Sequence, residues 1–303
     1  MRTTACEQWE LCATDSDFVF MTGDLGFKTL EPLRNVLGNR FINAGVAEQN
    51  MISVAAGLTL EGMNVWVYSI APFCYARPFE QIRNDICHHS LPVKLVGNGG
   101  GYAYGPMGAS HHALEDYGSL LTLPTLRAYI PAFADDLCSL VPRLQDIENP
   151  AYLRLGRCEK PAGQDAGKYS PWRKLLPGNG IPLVLIGPIA GEYWKTCLEL
   201  PEDARPTLWV LSELPVDDLD TIPGELLDQA IVQGLCIVEE HTAQGSAGQQ
   251  LSRLMLTSNV LPRYFWHFHS VGYPSGTYGS QTFHRRESGI GARQVLDKLG
   301  FVS

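Results

Sequence analysis

No apolar run in this chain of 303 residues reaches the roughly 18 that a membrane-crossing helix needs. No block of Lys or Arg occurs either. The 23 basic residues face 32 acidic ones, a formal net charge of -9. Nucleic-acid binding, which usually rests on a basic patch, is therefore not expected. Charged residues make up only 18%, too few for a chain that stays disordered, while 45% hydrophobic and 10% aromatic residues suffice for real cores. The cysteines are Cys6, Cys12, Cys74, Cys87, Cys138, Cys158, Cys197 and Cys236, and no two stand at C-x-x-C spacing. They read as reduced thiols, with no zinc cluster. His267, His269 and His284 lack tight metal spacing too. The opening residues, Met1-Arg-Thr-Thr-Ala-Cys-Glu, show no apolar signal segment. A cytoplasmic protein without membrane contact is expected.

What is present is alternation. Strand patterns at Phe18–Thr22, Val65–Ser69, Pro92–Gly97, Leu126–Ile130 and Ala151–Leu155 alternate with helical ones. The helical patterns cover Val46–Glu61, Pro72–Cys87, a stretch near His111–Leu121, and Phe133–Ile147. This is the βαβ pattern of a parallel sheet covered on both faces. Residues 161–180 are rich in Pro and Gly and read as a linker. The alternation then restarts with strands at Leu183–Ile186, Thr207–Leu211, Leu235–Glu239 and Arg263–Phe268. The expected fold class is α/β, with two three-layer domains, 1–160 and 181–303.

Open α/β sheets place ligands beyond the carboxyl ends of their strands. Asp24, Glu48, Ile70–Phe73 and the Gly99–His111 loop all follow predicted strands and are expected along one edge. The richest stretch is Phe41-Ile-Asn-Ala-Gly-Val-Ala-Glu48, a short strand, a Gly turn and a helix opened by one carboxylate. With Phe73, Tyr75 and Phe79 close behind, it describes an acid beside an aromatic pocket. A flat heterocycle with one basic nitrogen suits such a pocket.

In order, Thr22-Gly-Asp-Leu25, Asn43-Ala-Gly-Val-Ala-Glu-Gln49, Arg77-Pro-Phe-Glu-Gln-Ile-Arg83 and Gly105-Pro-Met-Gly-Ala-Ser-His-His112 resemble the transketolase family. The chain is most similar to the C-terminal subunit of split transketolases. The resemblance implies thiamine diphosphate as cofactor, bound between two domains of different chains. The diphosphate and its Mg²⁺ or Ca²⁺ ion are gripped in that family by a Gly-Asp-Gly…Asn motif. Here Gly23-Asp-Leu25 breaks that motif. This chain thus looks like the pyrimidine half plus a C-terminal domain. It is expected to need a diphosphate-binding partner subunit, two copies of each forming a heterotetramer.

The resemblance also assigns roles. Glu48 hydrogen-bonds the pyrimidine nitrogen and activates the cofactor. Phe73 stacks on the ring. Ile70 falls where relatives carry another Phe, with Tyr75 and Phe79 nearby. Asp24 and Leu25 lie at the cofactor and subunit interface. His111 faces the substrate and moves protons, with His112 behind it. Arg157, with Arg154 as competitor, matches a substrate-phosphate arginine. Met107 stands where many relatives have an Asp that touches a sugar hydroxyl. A second substrate histidine is missing near Gly99. The substrates implied are a ketose and an aldehyde, phosphorylated or nucleotide-linked. Two rival readings stay open. One is a β-type subunit of another thiamine-diphosphate enzyme, a 2-oxo acid dehydrogenase or a deoxyxylulose-phosphate-synthase-like protein. The other is a non-catalytic regulatory subunit. Glu239-Glu240-His241 reads as a capped turn of the second domain.

Overall fold

A computed structural model describes residues 1–301. The strands in chain order are β1 (Phe18–Thr22), β2 (Phe41–Asn43), β3 (Asn64–Ile70), β4 (Lys94–Asn98), β5 (Arg127–Tyr129) and β6 (Ala151–Leu155). They continue with β7 (Trp172–Leu176), β8 (Gly180–Ile186), β9 (Pro206–Leu211), β10 (Glu213–Leu214), β11 (Leu235–Val238) and β12 (Phe265–Phe268). Two sheets result, ordered β10-β5-β6-β4-β3-β1-β2 and β12-β11-β8-β9-β7. Every pairing is parallel except those of the edge strands β10 and β7. The α/β expectation of two mostly parallel sheets with flanking helices is borne out.

Strand β3 shows why the first sheet is covered twice. Val65 and Val67 point to one core, shared with Met51 and Ile52 of the helix Glu48–Leu60. Trp66 and Tyr68 point to the other, where Trp9 of the helix Arg2–Cys12 meets them. Both faces of the strand are apolar because both are buried. That N-terminal helix has no counterpart among the helical patterns of the sequence. Its buried residues, Ala5, Cys6, Trp9 and Cys12, are diluted by charge along the rest of its surface.

Three local expectations change. The helix expected over Pro72–Cys87 is broken into Ala71–Tyr75, Phe79–Gln81 and a wide π-type turn, Ile82–Cys87. Pro78 stands at the break, lacking the N–H that a continuing helix uses. The stretch near His111 forms only the short helix Asp116–Leu120. Inside the presumed linker, Trp172–Leu176 is strand β7, paired antiparallel with β9.

The two halves are joined closely. Strand β10, from beyond β9, completes the edge of the first sheet against β5. Nearby, the wholly buried Asp116 accepts from Arg154 Nε at 2.7 Å and from the Tyr152 hydroxyl at 2.8 Å. Arg154 also donates to the carbonyls of Ala113 and Glu240, each at 2.9 Å. Tyr117 donates to the buried Glu239, and Arg285 Nε to Glu240. Arg285 Nη1 reaches Glu192 at 2.9 Å. No described helix is long and apolar enough to cross a membrane.

Candidate functional site

The carboxyl ends of β2, β1, β3, β4 and β6 lie side by side, because these strands are parallel neighbours. Asn43 fixes the turn after β2. Its Oδ1 accepts from the backbone N–H of Asp24 and of Gly45, both at 3.0 Å, and its Nδ2 donates to the Asp24 carboxylate at 2.9 Å. Gly45 has a φ of 67°, which favours glycine, and reverses the chain into the next helix. Glu48 is the first residue of that helix and is 5% exposed. It therefore faces the positive end of the helix dipole.

Arg77 completes the group. Its Nη1 donates to Glu48 Oε1 at 2.8 Å. Its guanidinium carbon lies 3.8 Å from the centre of the Phe73 ring. The His111 ring meets Phe73 edge-on at 5.3 Å between centroids and Tyr104 at 5.7 Å. Glu48 and Phe73 thus share one guanidinium, and His111 stands against the Phe73 ring. Beneath them, Ser69 is wholly buried and its Oγ has no hydrogen-bond partner among the described residues. A Cβ placed on Gly23 would lie 3.7 Å from Ser69 Oγ and 3.8 Å from Glu48 Cγ, so the two side chains flank the same point. A recess of about 380 Å³ opens over Val46, Ala47, Glu48, Gln49, Asn50 and Arg77.

The other expected residues are spread more widely. Asp24, exposed, adopts a φ of 58°, and the Leu25 carbonyl accepts from Thr22 Oγ1 at 3.0 Å. Both line a separate recess of about 160 Å³ with Phe27 and Phe41. Ile70 is half-buried at the end of β3. Tyr75 turns into the core and donates to Glu115 at 3.1 Å, and burial pushes its hydroxyl pKa up. Phe79 packs on the same core, so neither ring joins the Glu48 group. Met107 is 54% exposed in the turn Gly105–Met107.

The two candidate arginines separate. Arg154 is buried and committed to Asp116 and two carbonyls. Arg157 is exposed. With Arg2, Asn98, Gly99 and Tyr104 it lines a recess of about 280 Å³ at the ends of β4 and β6. Neither Arg2 nor Arg157 makes an ion pair among the described residues.

The Gly99-Gly-Gly101 run explains how the loop to His111 is seated. A Cβ on Gly99 would strike the Tyr104 ring, on Gly100 the Arg154 side chain, and on Gly101 the Glu240 side chain. Further along, His112 is buried. Its Nε2 donates to the Gly105 carbonyl at 2.8 Å, and its Nδ1 lies 2.8 Å from the Tyr273 hydroxyl. Burial pushes its pKa down to about 4.

Sequence reasoning missed Arg77, Ser69, Arg2 and the Tyr273 contact. For Arg77 there was a signal: it follows Phe73 by four residues, close to one helical turn. Glu239, read as part of a capped turn, is a wholly buried carboxylate. It accepts from the N–H of Ala247 at 3.0 Å and of Gly248 at 2.9 Å, and from His267 Nε2 at 2.7 Å. Burial works against its charge, but the His267 hydrogen bond and neighbouring histidines outweigh that and hold its pKa below the ordinary value.

Residues 7–161 match the family model described as transketolase, pyrimidine binding domain. One of the subunits of the apulose-4-phosphate transketolase of Phocaeicola vulgatus is 29% identical over 297 residues, covering 96% of this chain and 91% of its own. A putative transketolase C-terminal section from Methanocaldococcus jannaschii is 36% identical over 233 residues, 73% of this chain and 70% of that one. The solved structure of a split gene transketolase, an inactive beta4 tetramer, superposes with a TM-score of 0.81 at 26% identity, covering 98% of this chain and 96% of that chain.

Proposed function

Because the chain belongs to the transketolase family, as a C-terminal-type subunit, we propose that it supplies the pyrimidine half of a split, thiamine-diphosphate-dependent transketolase. It transfers a two-carbon ketol unit from a ketose to an aldehyde, together with a separate subunit that grips the diphosphate and its metal ion. Two copies of each form the working enzyme, in the cytoplasm. Residues 1–160 are the pyrimidine-binding domain and 181–303 the C-terminal domain.

The observation that carries this reading is the Arg77 bridge between Glu48 and Phe73. A flat, N–C–N cation already fits between that carboxylate and that ring. An aminopyrimidine is flat and presents the same kind of edge. The orphaned Ser69 hydroxyl beside Glu48 is a second group in want of a polar partner.

The cofactor, when bound, supplies the electron sink that carbon–carbon cleavage needs. The chain's own residues do the rest. Glu48 shares a proton with the pyrimidine nitrogen. Phe73 covers the ring face, worth on the order of 1 kcal/mol beyond burial. The Ser110 hydroxyl sits 2.9 Å from His111 Nδ1, which leaves Nε2 to hydrogen-bond a donor carbonyl and to move its hydroxyl proton. Arg157 and Arg2 hold an anionic end of the sugar, their forks suited to phosphate. The relative from Phocaeicola is named for a phosphorylated ketose.

Co-purifying this chain with a subunit that carries the Gly-Asp-Gly motif tests the reading. Calorimetry should show saturable binding of thiamine diphosphate with Mg²⁺ by the mixture and by neither chain alone. The mixture should then pass a two-carbon unit between a phosphorylated ketose and an aldehyde. Tight binding by this chain alone, or turnover of 2-oxo acids only, would overturn it.

A further inference from the structure

We propose that Arg77 is a built-in stand-in for the aminopyrimidine, a plug that the cofactor must displace. The inference rests on the reading of this site as thiamine-dependent. It adds a competing ligand carried by the chain itself.

The geometry makes the competition direct. The guanidinium carbon, 3.8 Å from the Phe73 centroid, lies in the layer that a ring stacked on Phe73 would fill. Its Nη1 takes Glu48 Oε1 at 2.8 Å, as a protonated ring nitrogen would. Both anchors of the aminopyrimidine are therefore engaged at once. The plug is also free to leave. Arg77 is 45% exposed, and among the described residues the Glu48 carboxylate is its only hydrogen-bond partner. It stands between the helix Ala71–Tyr75 and Pro78, where the helix is broken.

Physical chemistry gives the plug a purpose. A carboxylate only 5% exposed, left without a partner, is costly. Arg77 satisfies Glu48 while the chain lacks its cofactor, and it withdraws when a better-fitting planar group arrives. The cost appears as a reduced apparent affinity, since only the open fraction of sites binds. For a half-exposed ion pair stacked on a ring, a penalty of about three- to tenfold is expected.

The test compares wild type, Arg77→Ala and Arg77→Met in complex with the diphosphate-binding subunit, using thiamine diphosphate and Mg²⁺. Both variants should bind about three- to tenfold more tightly. Stopped-flow traces should place the gain in the association rate and leave dissociation unchanged. Arg77→Met keeps the packing of the stem and guards against a folding defect in the alanine variant. A second arm uses this chain alone with millimolar methylguanidinium. The salt should raise the melting temperature of Arg77→Ala and not that of wild type, and Glu48→Gln in the same background should abolish the rise. Weaker cofactor binding by both variants would overturn the plug, making Arg77 a ligand of the bound cofactor while leaving the thiamine reading intact. No cofactor binding by wild type or either variant would remove the thiamine reading and this inference with it.

Discussion

His112 and Tyr273, 161 residues apart in sequence, meet with 2.8 Å between the imidazole Nδ1 and the phenol oxygen. The Gly105 carbonyl takes the Nε2 proton, so the Tyr273 hydroxyl is the donor to Nδ1. The segment after β12 thus grips the loop that carries His111. His284 stacks on Tyr102 and meets the His112 ring edge-on at 4.9 Å. The second half of the chain thereby sets the place of the loop that follows β4, a central strand of the first sheet.

A pH dependence of stability follows. His112 titrates near 6.5 when unfolded, and burial lowers it to about 4 in the fold. Above pH 6.5 it is neutral in both states and its contribution is complete. Between pH 6.5 and 4 the unfolded chain takes up a proton that the fold refuses, so stability is lost as pH falls. The loss approaches roughly 3 kcal/mol below pH 4. Burial lowers His241 and His284 in the same direction. Denaturant titrations from pH 7 to 4.5 should show the decline, and His112→Gln should flatten it. An equal slope in that variant would mean that His112 is not the group responsible.

Glu48→Gln should leave the fold intact and disable the site. Glutamine still accepts from Arg77, so the melting temperature should stay within a few degrees of wild type. Turnover by the reconstituted enzyme should fall at least about a hundredfold, as for loss of a proton-handling group. Unchanged turnover would instead favour a binding or regulatory subunit.

Much of this was legible in the sequence, for reasons that differ by residue. Strand β1 and the Gly45 turn into Glu48 are local, and local propensity with one obligatory glycine describes them. Phe73 and His111 could be placed at one edge because parallel sheets order their loops. Tyr75 and Phe79 part from Phe73 because both pack on the core, Tyr75 at the end of the helix Ala71–Tyr75 and Phe79 just past the break at Pro78, which the sequence pattern ran through as one helix. Arg154 and Arg157 look alike in sequence. They differ only because β6 directs Arg154 inward to Asp116, a partner 38 residues upstream. Arg2 carried no signal, since its helix is brought to the site by long-range packing, Trp9 lying against Phe20, Trp66 and Tyr68. Strand β7 escaped notice because its Pro- and Gly-rich flanks outweighed its five residues.

Arg157→Ala and Arg2→Ala should separate substrate holding from chemistry. Both arginines line one recess with Tyr104, whose ring is 5.7 Å from that of His111. Each loss should raise KM for a phosphorylated substrate about ten- to a hundredfold, with kcat changed little. A substrate without the anionic group should be turned over equally by wild type and both variants. Steady-state kinetics on the paired substrates make the comparison. A matching loss on the neutral substrate would assign these arginines to folding or assembly.

Arg154 should behave in the opposite way. It pairs with Asp116 at 2.7 Å where both side chains are almost inaccessible, 3% and 0% exposed. Removing one partner leaves an uncompensated charge in the interior, which typically costs about 3–5 kcal/mol. Arg154→Met and Asp116→Asn should therefore each lower the unfolding free energy by about that amount. The double variant should recover a large part of the loss, because neither charge is then left alone. Urea denaturation of the chain at neutral pH, run as a double-mutant cycle, measures the coupling directly. Strict additivity of the two losses would show that the carbonyls of Ala113 and Glu240, and not Asp116, hold the guanidinium in place.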